Sequence, residues 1–132
     1  MSVDAGSDER PVHPRHRLNE TIHAPVRFSI VAALAGVDQA EFSFVRDTVD
    51  VSDSVLSKQV STLESAGVVK VKKGYVGKRP RTWLALTAFG RRAFQEHLAA
   101  LREIAGEVYP QVGQPAGQLF KDQVGPTRRP TV

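Results

Sequence analysis

VSDSVLSKQVSTLESAG (51–67), VVKVKKGYVGKRPRTWLALT (68–87) and AFGRR (88–92) follow one another directly, and their reading decides the fold. Leu56, Val60 and Leu63 recur at i, i+4 and i+7, the apolar stripe of a 3.6-residue helix. Ser52 or Asp53 predicts its start, because either side-chain oxygen accepts hydrogen bonds from the first free amides. Ala66-Gly67 predicts its end, glycine being the residue that takes a left-handed cap at least cost. Residues 68–71 then read as a strand and 82–86 as its return, rich in β-branched and aromatic side chains. Gly74 and Gly77 are expected to make the turns between them. Thr87 should cap a last helix over 88–108.

The outward face of the first helix carries Ser54, Ser57, Lys58 and Ser61. A solvated helix usually places long Glu and Lys side chains there, often paired four apart. Short hydroxyls instead let a helix approach a base edge or phosphate closely. A polar helix that touches nothing would also fit this face, and the hairpin decides between the two. From Ser65 to Gln95 there is no Asp or Glu, while Lys70, Lys72, Lys73, Lys78, Arg79, Arg81, Arg91 and Arg92 all occur. Beside a phosphate backbone such charges release counterions and gain affinity. Arg79-Pro80-Arg81, expected at the hairpin tip, would suit a narrow minor groove. Basic hairpins also serve solubility and edge protection, but so long an acid-free run favours a polyanionic partner.

The string LSKQVSTLESAGVVKVKKGYVGKRPRTWLALTAFGRRAF (56–94) resembles the winged-helix transcriptional regulators related to the MarR group, most closely their short single-domain branch. The resemblance rests on LSK-x-V-x-x-LE-x-x-G, on RPRT-W opening the second wing strand, and on LT-x-x-G-R-x-x opening the last helix. It spans roughly 18–107. LE-x-x-G alone is weakly specific; the three motifs in this order are strong. The resemblance implies a dimeric repressor or activator with this helix in the major groove. Relatives often bind small molecules between the DNA-binding body and the dimer helices, and no residue here names such an effector.

At 132 residues the chain has room for one modest domain with tails. A formal charge of +4 and an isoelectric point near 9.8 suit a polyanionic partner, although the clustering of charge matters more than its sum. The absence of cysteine removes disulfides, thiolate sensing and cysteine metal sites. No apolar run approaches the ~20 residues of a bilayer span, and the polar start is no signal peptide. A cytoplasmic protein without a membrane partner is expected. Residues 1–17 read as a disordered basic tail and 109–132 as a flexible Pro/Gly-rich one. His13 and His16 lie three apart, but flanking prolines and the expected disorder of this tail argue against a metal. No cofactor is expected.

Between the tails, 18–108 is read as the winged-helix domain. Asn19 or Thr21 can cap a helix region over 18–35, with Pro25 in the first turn of its main helix. Phe28, Val31, Ala32, Leu34 and Ala35 form its buried stripe, and Arg27 points outward. Glu41-Phe42-Ser43 reads as a short strand and 44–49 as a short helix, their phenylalanines in the core. Residues 50–53 make the tight turn into the next helix, a helix-turn-helix arrangement. The last helix is longer than a small domain needs. Its surplus stripe, Phe94, Leu98, Leu101, Ile104 and Val108, is expected at a two-fold dimer interface, although it could also fold back on the first helix. A dimer would set two recognition helices about one DNA turn apart, ~34 Å, and call for an inverted repeat.

The expected fold class is therefore α+β and mostly α: a winged helix-turn-helix with a basic β-hairpin wing and a C-terminal dimerisation helix. The expected function is sequence-specific binding of double-stranded DNA as a homodimeric regulator. Ser52, Ser54, Ser57, Lys58 and Ser61 would make the recognition-helix contacts, and Lys72, Lys73, Lys78, Arg79 and Arg81 the wing contacts. An enzyme is the first rival. Four scattered histidines, no cysteine, no convergent carboxylates and no phosphate-binding glycine loop argue against catalysis. A protein-interaction module and a sequence-indifferent architectural protein are the other rivals. The hydroxyl-lined helix opposes the former, and the modest charge without a lysine run opposes the latter.

Overall fold

The computed structural model describes residues 12–106. After a 3-10 turn at Pro14–Arg17 come α1 (Glu20–His23), α2 (Pro25–Ala35), β1 (Ala40–Glu41), α3 (Phe42–Val49), α4 (Asp53–Ser65), β2 (Val69–Val76), β3 (Arg79–Leu86) and α5 (Ala88–Ala105). Arg17–Leu98 forms one compact unit with the core. Of the other unit, Met1–His16 with Ala99–Val132, residues 12–16 and 99–106 are described. Both tails expected from the sequence lie largely outside the described residues.

The expected helix over 18–35 is two helices. Pro25 disfavours helical geometry at the residue before it, and Ala24 accordingly sits at φ −62°, ψ 137° between α1 and α2. The Asn19 side chain caps α1 by accepting from the Ile22 amide at 3.0 Å. Ile22, Ile30, Val31 and Leu34 are fully buried, whereas Ala32, expected in the stripe, is exposed.

The short strand is Ala40–Glu41, one residue earlier than expected, and α3 starts at Phe42. The strand lasts only as long as its pairing, Ala40 with Leu84 and Glu41 with Trp83. Val45 fills the core side of α3, and Phe44, expected inside, is 57% exposed. Asp50 turns the chain toward α4 in the left-handed region, at φ 59°, ψ 59°. Across this turn the Arg46 guanidinium donates to Asp47 and to Asp53, each at 2.9 Å. Those two carboxylates raise Arg46 above its ordinary range, and the hydrogen bond from Arg46 lowers Asp47 below its own. Exposed pairs of this kind contribute little stability; they tie the end of α3 to the start of α4.

Helix α4 begins and ends as its sequence dictates. Ser52 Oγ accepts from the Val55 amide at 3.2 Å, and Leu56, Val60 and Leu63 are buried. At the far end Gly67 has φ 78°, the Gly67 amide donates to the Glu64 carbonyl at 2.9 Å, and the Val68 amide to the Leu63 carbonyl at 3.0 Å. These two bonds make a Schellman cap, and they deliver Val68 and Val69 into the core.

The sheet is antiparallel in the order β1-β3-β2. Its wing strands run further than expected from the sequence and close at Gly77-Lys78. Gly77, with φ 65°, takes the first turn position, which needs positive φ in a tight hairpin. Gly74 makes no turn. It lies inside β2 opposite Arg81, and a Cβ there would stand 3.2 Å from the Trp83 ring.

Thr87 caps α5 by accepting from the Gly90 amide at 2.8 Å, and its hydroxyl donates to the Gly67 carbonyl at 2.6 Å. The Thr87 amide donates to the Val68 carbonyl at 3.0 Å. This lays the first turn of α5 on the Val68 backbone so closely that any Cβ on Gly90 would overlap the Val68 carbonyl. The helix ends at Ala105, with Gly106 at φ 85°, short of the expected 108; residues 107 and 108 lie outside the described residues.

Gly90→Ala should therefore destabilise the domain by roughly 1–3 kcal/mol, the cost of overpacking a tight contact. Asp50→Gly should stabilise it by roughly 1 kcal/mol by relieving left-handed strain. Urea midpoints at constant slope measure both.

Candidate nucleic-acid interface

Opposite its buried stripe, α4 exposes Ser54, Ser57, Lys58 and Ser61. Ser52 sits at the helix start, its oxygen occupied in the cap and 3.3 Å from Ser54 Oγ. Ser57, Ser61 and Glu64 form one wall of a cleft of about 690 Å³ whose other wall is Lys73 and Thr82 of the wing. Phe42, Val60, Val71 and Leu84 also line it. Glu64 is an acid on this rim that helical periodicity alone does not single out.

Strand alternation divides the wing cations, since successive side chains point to opposite faces. Lys73 shares its face with Val69 and Val71 and lines the cleft beside α4. Lys72 lies on the other face, where it lines a smaller hollow with Lys70, Trp83 and Gln39. Lys78 occupies the turn and Arg79 its foot. Both are exposed, beside Tyr75 at 73% and Val76 at 52% exposure. This exposed aromatic and valine join the tip without any signal in the charge pattern.

Arg81 is not at the tip. It pairs with Gly74, halfway down the hairpin, and its Nε is 3.9 Å from a Glu41 carboxylate oxygen. The same Nε is shielded from solvent without a hydrogen-bond partner. Arg91 is likewise structural, since its guanidinium donates to the carbonyls of Ala35 at 3.2 Å and Val37 at 2.9 Å. There it satisfies backbone oxygens at the end of α2.

Arg27, expected to point outward, is a clamp. Its Nε donates to the Thr21 carbonyl at 2.6 Å and its Nη1 to Gln59 Oε1 at 2.8 Å, so one guanidinium joins α1 to α4. Only its position between the apolar Val26 and Phe28 hints at an inward role.

The expected dimer face is partly consumed within the chain. Phe94 is 8% exposed with its ring centroid 5.7 Å from that of Phe28, and Leu98 packs against the same core. The first half of α5 folds back on α2. Further along the helix Leu101 is half-buried and Ile104 exposed; Val108 lies outside the described residues. His97, not singled out by the sequence, is the buried polar residue on this helix.

A helix-turn-helix whose second helix exposes small hydroxyls and a lysine, flanked by a basic hairpin, defines a winged-helix DNA-binding protein. The winged helix DNA-binding domain family matches residues 26–105, and the chain belongs to it. An uncharacterised protein of Methanocaldococcus jannaschii is 28% identical over 83 residues, 63% of this chain and 90% of that protein. A transcriptional regulator homologue from Pyrococcus horikoshii superposes with a TM-score of 0.64 at 27% identity, over 69% of this chain and 90% of its own. At the level of fold alone, a MarR family regulator from Silicibacter pomeroyi matches with a TM-score of 0.55 and 17% identity, over 86% of this chain and 74% of its own. By family the chain is a winged-helix DNA-binding protein, a class that binds DNA and is not enzymatic, and its fold is similar to that of a MarR family transcriptional regulator. No described helix is long and apolar enough to cross a membrane.

Removing the clamp leaves the Thr21 carbonyl and the Gln59 amide unpaired. Arg27→Ala should cost roughly 1.5–3 kcal/mol, and Arg27→Lys should recover only part of it, since a point charge cannot span both acceptors. Amide exchange in α4, compared among the three proteins, measures how far the recognition helix loosens.

Proposed function

We propose that this protein is a cytoplasmic homodimer that binds an inverted-repeat operator and represses by occluding a promoter. Helix α4 enters the major groove, with Ser54, Ser57, Lys58 and Ser61 toward bases and phosphates. The cleft between α4 and the wing straddles one sugar-phosphate backbone, Lys73 meeting it from the wing side. Lys78 and Arg79 reach along the neighbouring backbone or minor groove, with Tyr75 and Val76 beside them. Lys72 and Arg81, given the same role from sequence, fall outside this contact. Leu101 and Ile104, at the end of α5, contribute to the two-fold interface. The observation that carries the reading is the exposed hydroxyl-and-lysine face of α4, set beside a basic hairpin across one cleft.

Selection of the purified protein against a random duplex library should enrich an inverted repeat with half-sites one turn apart. Salt-sensitive binding without a motif would point to an architectural role, and no binding would refute the proposal. The slope of log affinity against log salt should fall by about 0.9 for each phosphate that a variant no longer neutralises. Lys78→Ala and Arg79→Ala should each lower it, and Arg81→Ala should leave it unchanged. Lys58→Ala should weaken operator binding more than binding to unrelated duplex.

Glu64→Gln removes a negative charge from the cleft. It should tighten binding to operator and unrelated duplex alike, by a few-fold at low salt, an effect of about 0.5–1 kcal/mol typical of an exposed charge. Parallel fluorescence-anisotropy titrations on both duplexes would measure it.

A further inference from the structure

His97 is fully buried on the inner face of α5. Its Nδ1 accepts from the Asn19 amide at 2.9 Å, so that nitrogen holds a lone pair and the ring's proton belongs on Nε2. Nε2 lies 3.3 Å from Nδ1 of His23, where it can donate. The two rings meet edge to face with centroids 5.2 Å apart, and the Phe28 ring stands 5.8 Å from His97. The arrangement accepts one charge state. A protonated His97 would turn an N–H toward the Asn19 N–H, donor against donor, inside an apolar surround.

We propose that the His23–His97 pair is a pH-sensing latch that slackens the recognition helix on mild acidification and so weakens operator binding. The inference rests on the DNA-binding reading above and adds its regulation. The coupling is traceable through α1. That four-residue helix is held on one side by His97, through the Asn19 amide and His23. On the other side the Thr21 carbonyl receives Arg27, whose second arm holds Gln59 of α4. Releasing α1 from His97 frees the Thr21 end of the clamp and loosens the seat of α4.

The sign follows from burial. Burial first, and the neighbouring His23 second, hold His97 below the ordinary histidine value of 6.5. From α1 the ionisable neighbour is His23; α2 presents the uncharged Phe28 ring. A released His97 titrates in its ordinary range, so the latched form is favoured above about pH 6.5 and loses ground as pH falls through it. A metal is a poor alternative occupant. Ligation through Nε2 of a neutral imidazole would require the proton on Nδ1, which is an acceptor here. No third ligand stands near among the described residues.

The test pairs two readouts on the full chain. NMR titration without DNA, between about pH 7.5 and about pH 5.5, should show His97 protonating below the ordinary histidine value. The Asn19 amide should lose exchange protection in the same range. His97 titrating at or above the ordinary value, or unchanged Asn19 protection, would overturn the latch. Operator affinity, followed by fluorescence anisotropy, should fall with acid by up to about tenfold per pH unit for each fully coupled proton. His97→Gln retains an acceptor for the Asn19 amide but no titrating ring, and should flatten that profile; a profile matching the wild type would overturn the proposal. His23→Gln, at an exposed position, removes the ring that faces His97 and should make the fall shallower; an unaltered profile counts against the pair. Absence of operator binding at neutral pH would refute the regulatory function itself, and the NMR titration alone then decides the latch.

Discussion

The close approach of α5 to the Val68 backbone is the constraint on which the rest of the domain depends. It occurs where three elements meet: the Schellman-capped end of α4, the root of the wing, and the Thr87-capped start of α5. Gly90 permits it, because a side chain there would overlap the Val68 carbonyl. Gly67 permits the turn just before it. With both glycines in place, α4 and the wing leave one point in fixed directions, and the cleft between them has a defined width. The LT-x-x-G motif thus has a physical meaning in packing as well as a family one.

Charge in this domain is sorted by geometry. The acid-free run supplies a positive hairpin, but its cations do several jobs. Arg91 closes the end of α2, and Arg81 is drawn back toward Glu41. Lys73, Lys78 and Arg79 remain disposed around the cleft and tip. An anionic duplex would therefore meet a narrower set of charges than composition suggests, placed where a phosphate backbone runs between a groove-bound helix and a wing. Glu64 on the opposite rim tempers that attraction.

Polar groups inside the domain act as connectors. Arg27 spans α1 and α4, and His97 receives the amide that begins α1. A four-residue helix has too few internal hydrogen bonds to be stable alone, so α1 stays formed through the contacts that flank it. Ile22 anchors it in the core, and the polar contacts fix its orientation. That makes the shortest helix the joint between the long helix and the recognition helix.

Local chemistry is legible in the sequence. The spacing of Leu56, Val60 and Leu63, the Ser52 and Thr87 caps and the Gly67 stop are set by neighbours in the chain, and all are found as expected. The hydroxyl face of α4 follows from the same periodicity. What the sequence could not determine depends on residues distant in the chain. Strand register decided which faces Lys72, Lys73 and Arg81 occupy, and it moved the turn to Gly77-Lys78. Packing of α5 on α2 placed Phe94 in the core, where sequence periodicity suggests a partner's surface. Arg27 with Gln59, and His97 with Asn19 and His23, are pairings across 32 and more than 70 residues. Helical period places a residue on a face, but only the folded chain decides what that face meets.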